Sequence, residues 1–267
     1  MKKIYDIDLN ILKGKYSKIA QYDAIEIDNS NEYSINKIAY LNRLNKLAGL
    51  IDLLTERKGP SNVLDIGCAQ GNLSLLLAEK GYIVDALDLR PEYIEYSKLK
   101  YEKGDIRWLN VNIMEFIPGK QYDFVILGEI LEHCAYPERI LEKAVSLLRI
   151  GGHLIATTPN GRFVKEKLPR FKDVSDDRAS LEKRQYGPEG KDHLFLFTLK
   201  ELTRLVSSYG TVVGAGYLGS YLVNRASIKG LKVFLSPARV QKLISLFESI
   251  PILNRLFSQG LYAVARK

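Results

Sequence analysis

Residues 63–72 read Val63-Leu64-Asp65-Ile66-Gly67-Cys68-Ala69-Gln70-Gly71-Asn72 and predict a strand, a glycine turn and a helix start in succession. The apolar run from Asn62 to Ile66 is typical of a strand that a parallel sheet buries on both faces. Asn72 is expected to cap the apolar-periodic segment 73–79. The turn therefore follows the carboxyl end of a strand, which is where open α/β sheets bind ligands.

The two glycines of this turn are expected to admit a ligand close to the backbone. They lack a Cβ, and the helix start that follows offers unpaired N–H groups. Glycines after strands also mark ordinary turns, so two glycines alone do not identify a binding site. Their spacing is more informative. Asp65-x-Gly67-x-x-x-Gly71 is not the Gly-x-Gly-x-x-Gly of dinucleotide sites, which place a pyrophosphate over the helix. The Asp65 carboxylate would repel phosphate and suits a cationic ligand, which disfavours a nicotinamide oxidoreductase.

Asp65-x-Gly67-x-x-x-Gly71 resembles motif I of the class I S-adenosylmethionine-dependent methyltransferases. The resemblance implies S-adenosyl-L-methionine as cofactor and an α/β fold with a doubly wound (Rossmann-like), mostly parallel seven-stranded sheet. Strands and helices alternate along the chain, which also predicts right-handed crossovers in a parallel sheet. A non-catalytic nucleotide-binding domain that has kept this fold remains an alternative.

A second strand is predicted at 83–88, with Asp88 at its carboxyl end about 20 residues past the glycine turn. A carboxylate there can accept hydrogen bonds from both ribose hydroxyls of an adenosine. The alternative for Asp88 is a cap for the helix that begins near Pro91. The cofactor-binding residues that the resemblance implies are Asp65, Gly67, Cys68, Gly71, Asp88, Leu89, Asn112, Ile113 and Gly128.

The second informative stretch, Gly128-Glu129-Ile130-Leu131-Glu132-His133, follows a strand predicted at 122–127. Helical spacing predicts that its two acids and its histidine share one side of a turn at the top of the sheet. Together with Asp192-His193 farther along, this pattern resembles two subgroups. One is the ubiquinone-biosynthesis type of O-methyltransferase, with relatives that act on lipids, sugars and small metabolites. The other is the small-RNA terminal 2′-O-methyltransferases, whose two glutamates and two histidines hold magnesium.

A hydroxyl acceptor must lose its proton to become a good nucleophile, and two arrangements could achieve this. His133, with Glu129 beside it, can act as a general base because imidazole titrates near neutral pH. Alternatively, a divalent cation (Mg, Mn or Zn) held by Glu129, Glu132, His133 and His193 can lower the pKa of the hydroxyl. The sequence leaves both open. The third histidine, His153, is expected to be structural.

The remaining pattern predicts helices at 35–54, 137–148 and 199–208, the last capped by Thr198, and strands at 105–110, 153–157, 211–217 and 261–265. We expect an N-terminal arm at 1–34 and a methyltransferase domain at 35–267. That domain carries a polar lid insertion at 161–191 and a basic amphipathic insertion at 219–259.

The composition of the chain limits the size of its fold and the kinds of partner that it can bind. With 267 residues, 46% of them hydrophobic, the chain can form one large globular domain. A net charge of +8 favours anionic partners, and the insertion at 219–259 could lie on an anionic membrane surface or pack on its own domain or on a partner subunit. Without a long apolar run, the protein is expected to be cytoplasmic, either free or peripheral at the membrane. The two cysteines form no metal-type pair.

The expected acceptor is a small-molecule, lipid or glycan hydroxyl. RNA is disfavoured because no RNA-binding domain accompanies the motifs and few aromatics are interleaved with the basic residues of the lid.

Overall fold

The computed structural model describes residues 12–27, 35–56, 59–163, 167–174, 178–185, 193–220 and 250–267. The amphipathic part of the 219–259 insertion, with Lys229, Lys232, Arg239 and Lys242, lies outside the described residues, and so does Asp192. The membrane interpretation of that insertion therefore stays a prediction.

Seven strands form one sheet, in the order β3-β2-β1-β4-β5-β7-β6. The strands are β1 Asn62–Ile66, β2 Ile83–Asp88, β3 Asp105–Asn110, β4 Tyr122–Gly128, β5 Leu148–Pro159, β6 Thr211–Ser220 and β7 Ser258–Arg266. β1 to β5 pair in parallel, whereas β7 is antiparallel to both of its neighbours, β5 and β6. The predicted doubly wound, mostly parallel seven-stranded fold is confirmed.

Helices cover both faces of this sheet. Those described are α1 Ser17–Ile27, α2 Ile35–Leu54, α3 Asn72–Glu79, α4 Pro91–Lys100, α5 Pro137–Leu147, α6 Arg178–Glu182, α7 Leu199–Ser207 and α8 Pro251–Phe257. One apolar core lies between the sheet and α5 and α7, and a second lies between the sheet and α2 and α3. Adjacent strand residues such as Val63 and Leu64 enter opposite cores because side chains alternate across a strand. Among the described residues, no helix is both long and apolar enough to cross a bilayer.

The junction between α5 and β5 differs from the predicted bounds, which left 149–152 between the helix and the strand. The helix ends at Leu147 and the strand begins at once at Leu148, well before the predicted start at His153. Gly151 has φ 76°, and a Cβ on Gly152 would lie 3.0 Å from backbone oxygens of Tyr122 and Asp123. The glycines therefore allow β5 to approach the start of β4, where the register shifts, instead of ending the helix.

The N-terminal arm contains a helix that packs beside the glycine turn. Its apolar residues Leu12, Ala20 and Ala24 form a third core with Tyr93 and Tyr96 of α4, and Ala69 of the turn packs against that core. The arm also places Tyr16 N within 3.0 Å of a carboxylate oxygen of Glu92, to which it donates a hydrogen bond. α1 is thus tied to the edge of the cavity described next.

Candidate functional site

The glycine turn leaves β1 and enters α3 through left-handed backbone conformations. Gly67 and Gly71 both have φ 68°, and Ala69 has φ 45°. Gly71 is the N-cap of α3, with no side-chain cap, so the prediction that Asn72 caps this helix is wrong. The Asn72 side chain is instead buried, where it accepts a hydrogen bond from Lys100 Nζ and donates one to the hydroxyl of Tyr40.

The two glycines of the turn serve different purposes. A Cβ on Gly67 would lie 2.1 Å from Ile130 Cδ1, so Gly67 admits a side chain of the loop after β4. A Cβ on Gly71 would lie 2.6 Å from Ser97 Oγ and from the Trp108 ring. Gly71 therefore lets the turn pack on α4 and β3, and it does not line the cavity.

A cavity of about 330 Å³ lies at the carboxyl ends of β1, β2 and β4, which is within the range of small-molecule sites. It is lined by all of the expected cofactor-binding residues except Gly71, namely Asp65, Gly67, Cys68, Asp88, Leu89, Asn112, Ile113 and Gly128. A Cβ on Gly128 would meet nothing within 4 Å, so the missing side chain is part of the open space. This lining fits an adenosine cofactor. It combines a carboxylate that can accept hydrogen bonds from ribose hydroxyls, apolar side chains, and glycines that leave the backbone accessible.

Sequence reasoning missed one wall of this cavity. Tyr16, Tyr40 and Arg43 line it from the N-terminal side, and Arg90 lines it from the start of α4. The Arg90 guanidinium lies 5.4 Å from the centre of the Tyr16 ring. The apolar periodicity of α2 predicted its packing on the sheet, but it carried no signal for which polar side chains face a ligand.

Asp88 is held by the backbone amides of two residues that line the cavity. One carboxylate oxygen accepts from Ala69 N at 2.9 Å, and the other accepts from Arg90 N at 2.8 Å. Burial raises the pKa of Asp88. The N-cap of α4 is Arg90, without a side-chain cap, so the structure does not support the alternative that Asp88 caps this helix.

Asp65 lies under the turn, where it accepts a hydrogen bond from Ser74 Oγ at 2.5 Å. Burial raises its pKa to about 6; the charge of Asp88 adds to this shift, and the Ser74 hydrogen bond opposes it. A cationic ligand would offset the cost of this buried charge.

Glu129 begins the loop after β4 in a left-handed conformation, φ 57°, which is strained for a non-glycine residue, and strain of this kind clusters at functional sites. One of its carboxylate oxygens accepts from Thr157 Oγ1 at 2.9 Å, and the other lies 3.1 Å from Arg43 Nη1. Glu129 therefore faces the cavity, joined to α2 and β5.

Glu132, His133 and His193 form a compact group. Each offers one possible metal-ligating atom, and these atoms all lie within 4.8 Å of one another. The loop carrying His193 folds back over the end of β4 because Leu194 N donates to Glu132 O at 2.8 Å. Glu129 is not part of this group. His153 lies near the amino end of β4, stacked on Phe124 with ring centres 5.6 Å apart, consistent with a structural role.

Glu132 is fully buried, and its two oxygens have unlike surroundings. Oε2 accepts from Thr158 Oγ1 at 3.0 Å. Within the described part of the chain Oε1 has no hydrogen-bond partner, and it lies 3.9 Å from His193 Nε2. Burial, with Glu129 nearby, raises the pKa of Glu132 well above its usual range. A buried carboxylate whose unpartnered oxygen lies beside the His193 imidazole, in a group that also contains His133, fits a divalent cation such as magnesium, manganese or zinc.

Comparison with known proteins agrees with this geometry. Residues 39–213 match the family model described as a methyltransferase domain. The chain belongs to the methyltransferase domain family.

Curated relatives of this family member include the mitochondrial ubiquinone biosynthesis O-methyltransferase of Candida albicans. It is 36% identical over 109 residues, which cover 38% of this chain and 33% of the relative. The ubiquinone biosynthesis O-methyltransferase of Xanthomonas axonopodis pv. citri is 36% identical over 104 residues, which cover 38% of this chain and 44% of the relative. The match thus spans less than half the length of either relative.

Among solved structures, the magnesium protoporphyrin IX methyltransferase of Synechocystis PCC 6803 with bound S-adenosylmethionine is similar with a TM-score of 0.55. The identity is 15%, over 97% of this chain and 98% of that one. At this identity the likeness shows that the methyltransferase-domain protein shares the fold.

Proposed function

We propose that the protein transfers a methyl group from S-adenosylmethionine to a hydroxyl of a small-molecule acceptor. The observation that carries this proposal is the place of His133, which lines the cofactor cavity and also belongs to the group with Glu132 and His193. A methyl donor and an acceptor hydroxyl can therefore meet at one residue. Alignment of the acceptor oxygen with the methyl group can lower the activation barrier by several kcal/mol.

The proposed cofactor contacts follow the cavity wall. Asp88 accepts from the ribose hydroxyls, and Leu89, Asn112 and Ile113 surround the adenine. Gly67, Cys68 and Gly128 leave room beside the methionine part, where Asp65 supplies negative charge. Gly71 supports the turn from behind. The support for these roles is that all except Gly71 line one cavity.

For acceptor activation, we propose that Glu132, His133 and His193 hold a divalent cation. Such an ion, when bound, lowers the pKa of an acceptor hydroxyl. Glu132 and His193 come from different parts of the chain that the Leu194 hydrogen bond brings together. If the protein works without the ion, His133 accepts the acceptor proton and Glu129 supplies charge beside it.

The acceptor class is proposed from the relatives' names together with the site. The curated relatives are named for ubiquinone biosynthesis, which supports a small-molecule acceptor over RNA. A lipid or glycan hydroxyl is the finer proposal.

The proposed lid at 161–191 contains α6. Arg178 Nη1 at the start of α6 donates to Glu138 Oε1 at 2.8 Å, which ties this part of the lid to α5. We also propose a cytoplasmic location with contact to anionic membrane through 219–259.

The test is methyl transfer from radiolabelled cofactor to separate phenol, lipid, glycan and RNA pools. Each pool is assayed untreated, after chelation, and after addition of magnesium, manganese or zinc. We expect label in one of the first three pools, loss of transfer on chelation and recovery with one ion. Label only in RNA would overturn the acceptor class, and full transfer in chelator by wild type and by His193→Ala would overturn the metal role.

A further inference from the structure

Two consecutive threonines, Thr157 and Thr158, lie near the carboxyl end of β5, and both are at the site. Successive side chains of a strand point to opposite faces of the sheet. Both side chains are buried, but Thr157 lines the cofactor cavity and Thr158 does not. Each hydroxyl donates to a different glutamate of the loop after β4.

Thr157 holds Glu129 toward the cofactor cavity. Its hydroxyl donates to Glu129 Oε1 at 2.9 Å, and its carbonyl oxygen accepts from Glu129 N at 3.1 Å. The remaining carboxylate oxygen lies 3.1 Å from Arg43 Nη1, and Arg43 also lines the cavity. These three contacts fix both the strained backbone of Glu129 and the direction of its side chain.

Thr158 orients the Glu132 side chain on the other face of the sheet from Thr157. Its hydroxyl donates to Oε2 at 3.0 Å, which leaves Oε1 as the oxygen beside His193 Nε2, 3.9 Å away. A buried carboxylate fixed at one oxygen presents the other in a defined direction. Outer hydrogen bonds of this kind commonly set how well a ligand binds a metal.

We propose that Thr157 and Thr158 are positioning residues that divide two nearby glutamates between two tasks. Through Thr157, Glu129 serves the cofactor cavity with Arg43. Through Thr158, Glu132 serves the divalent cation with His133 and His193. This division rests on the proposed function, and it separates Glu129 from the metal group in which the sequence pattern placed it.

The test crosses two variants with two probes. Thr157→Val and Thr158→Val replace a hydroxyl with a methyl group of similar shape in a strand that favours β-branched residues. Affinity is measured for Mn²⁺ alone, from the signal of free ion in electron paramagnetic resonance, and for S-adenosylhomocysteine by calorimetry. Thr157→Ser and Thr158→Ser restore the hydroxyls, and Thr211→Val, at the exposed start of β6, is the matched control.

Thr158→Val is expected to lower Mn²⁺ affinity by about 10-fold to 100-fold with little change for S-adenosylhomocysteine. Thr157→Val is expected to lower S-adenosylhomocysteine affinity by roughly threefold to tenfold, the usual effect of one hydrogen bond, with little change for Mn²⁺. Both serine variants should regain most of the affinity. Thr158→Ala replaces the valine variant if the latter lacks a cooperative unfolding transition.

Two results would overturn the division: Mn²⁺ affinity unchanged in Thr158→Val, or lowered equally by both valine variants. Wild-type protein that binds S-adenosylhomocysteine but no Mn²⁺ would overturn the role of Thr158 and leave the cofactor assignment standing. Wild-type protein that binds neither probe would overturn the proposed function itself.

Discussion

Asp65 is a carboxylate that the fold buries at the floor of the cavity, against an electrostatic cost. Its pKa of about 6 stands above the ordinary 3.8, mainly because burial disfavours the charge. Since the folded protein binds this proton more tightly than the unfolded chain, the charge lowers stability above pH 6, and the cost fades as pH falls toward 4. The cost at neutral pH is on the order of 3 kcal/mol.

Asp65→Asn should therefore raise the free energy of unfolding at pH 7.5, by up to about 3 kcal/mol, and weaken S-adenosylhomocysteine binding. Denaturant unfolding at pH 7.5 and at pH 5 measures the first effect, which should shrink at the lower pH. Asp85→Asn is the matched control with the opposite sign, because the pKa of Asp85 is lowered in the fold. An Asp65→Asn protein less stable than wild type at pH 7.5 would contradict this account.

Gly67 is a poor position for testing cofactor binding because it is packed against Ile130. The sequence pattern suggests Gly67→Val as a block to the cofactor, but its Cβ would first meet Ile130. Loss of binding in that variant would report the displaced loop after β4 as much as the cavity. Gly128 provides a cleaner position because its missing side chain points into open space.

Among the strands, β2, β3 and β4 are joined through one buried acid. Asp85 accepts from Arg107 at 2.7 and 3.0 Å and from the Tyr122 hydroxyl at 2.5 Å. Burial acts to raise the pKa of Asp85, but these hydrogen bonds and nearby Lys120 outweigh it, so the pKa is lowered. The resulting stability is present above pH 3.8 and is lost as pH falls through the lowered value.

Arg107→Met should lower the free energy of unfolding at pH 7 by about 1–2 kcal/mol. This is less than for a fully buried pair because the arginine side chain is half exposed. Urea unfolding measures the change. Lys98→Met removes an exposed pair with Glu95 and should cost under about 1 kcal/mol. Equal losses in the two variants would contradict the role of Asp85 in joining the strands.

Just before α1, the N-terminal arm has a glycine in a backbone conformation that other residues rarely adopt. Gly14 has φ 138°, and a Cβ there would lie 2.0 Å from Glu92 Oε1, the same oxygen that accepts from Tyr16 N. Because Tyr16 lines the cavity, Gly14→Ala should weaken S-adenosylhomocysteine binding by roughly tenfold while the sheet stays folded.

Gly49→Ala is the control for the arm, since its Cβ would meet nothing within 4 Å and alanine favours the helix that contains it. Calorimetry gives both affinities. Unchanged affinity of Gly14→Ala for S-adenosylhomocysteine would contradict a role of the N-terminal arm in cofactor binding.

Over the whole molecule, the sequence predicted the centre of the sheet because β1, β2 and β4 are short, mainly apolar runs, and the two motifs follow β1 and β4, which end at the same edge. β2, β3 and α2 match their predicted bounds. The wall formed by Tyr16, Tyr40 and Arg43 was not predictable, because these residues reach the cavity through packing of α1 and α2 that leaves no local pattern. The separation of Glu129 from Glu132 was also hidden, since it depends on a left-handed backbone and two threonines distant in sequence.

The central claim is that the cavity at the ends of β1, β2 and β4 binds S-adenosylmethionine. Calorimetric titration with S-adenosylhomocysteine, alongside NAD, of wild type, Gly128→Val and Gly214→Val tests it most directly. A Cβ at either glycine meets nothing within 4 Å, but only Gly128 lines the cavity. The account predicts saturable binding of S-adenosylhomocysteine but not NAD by wild type and Gly214→Val, and binding at least about tenfold weaker by Gly128→Val. Equal affinity in all three proteins, or preference for NAD, would contradict it.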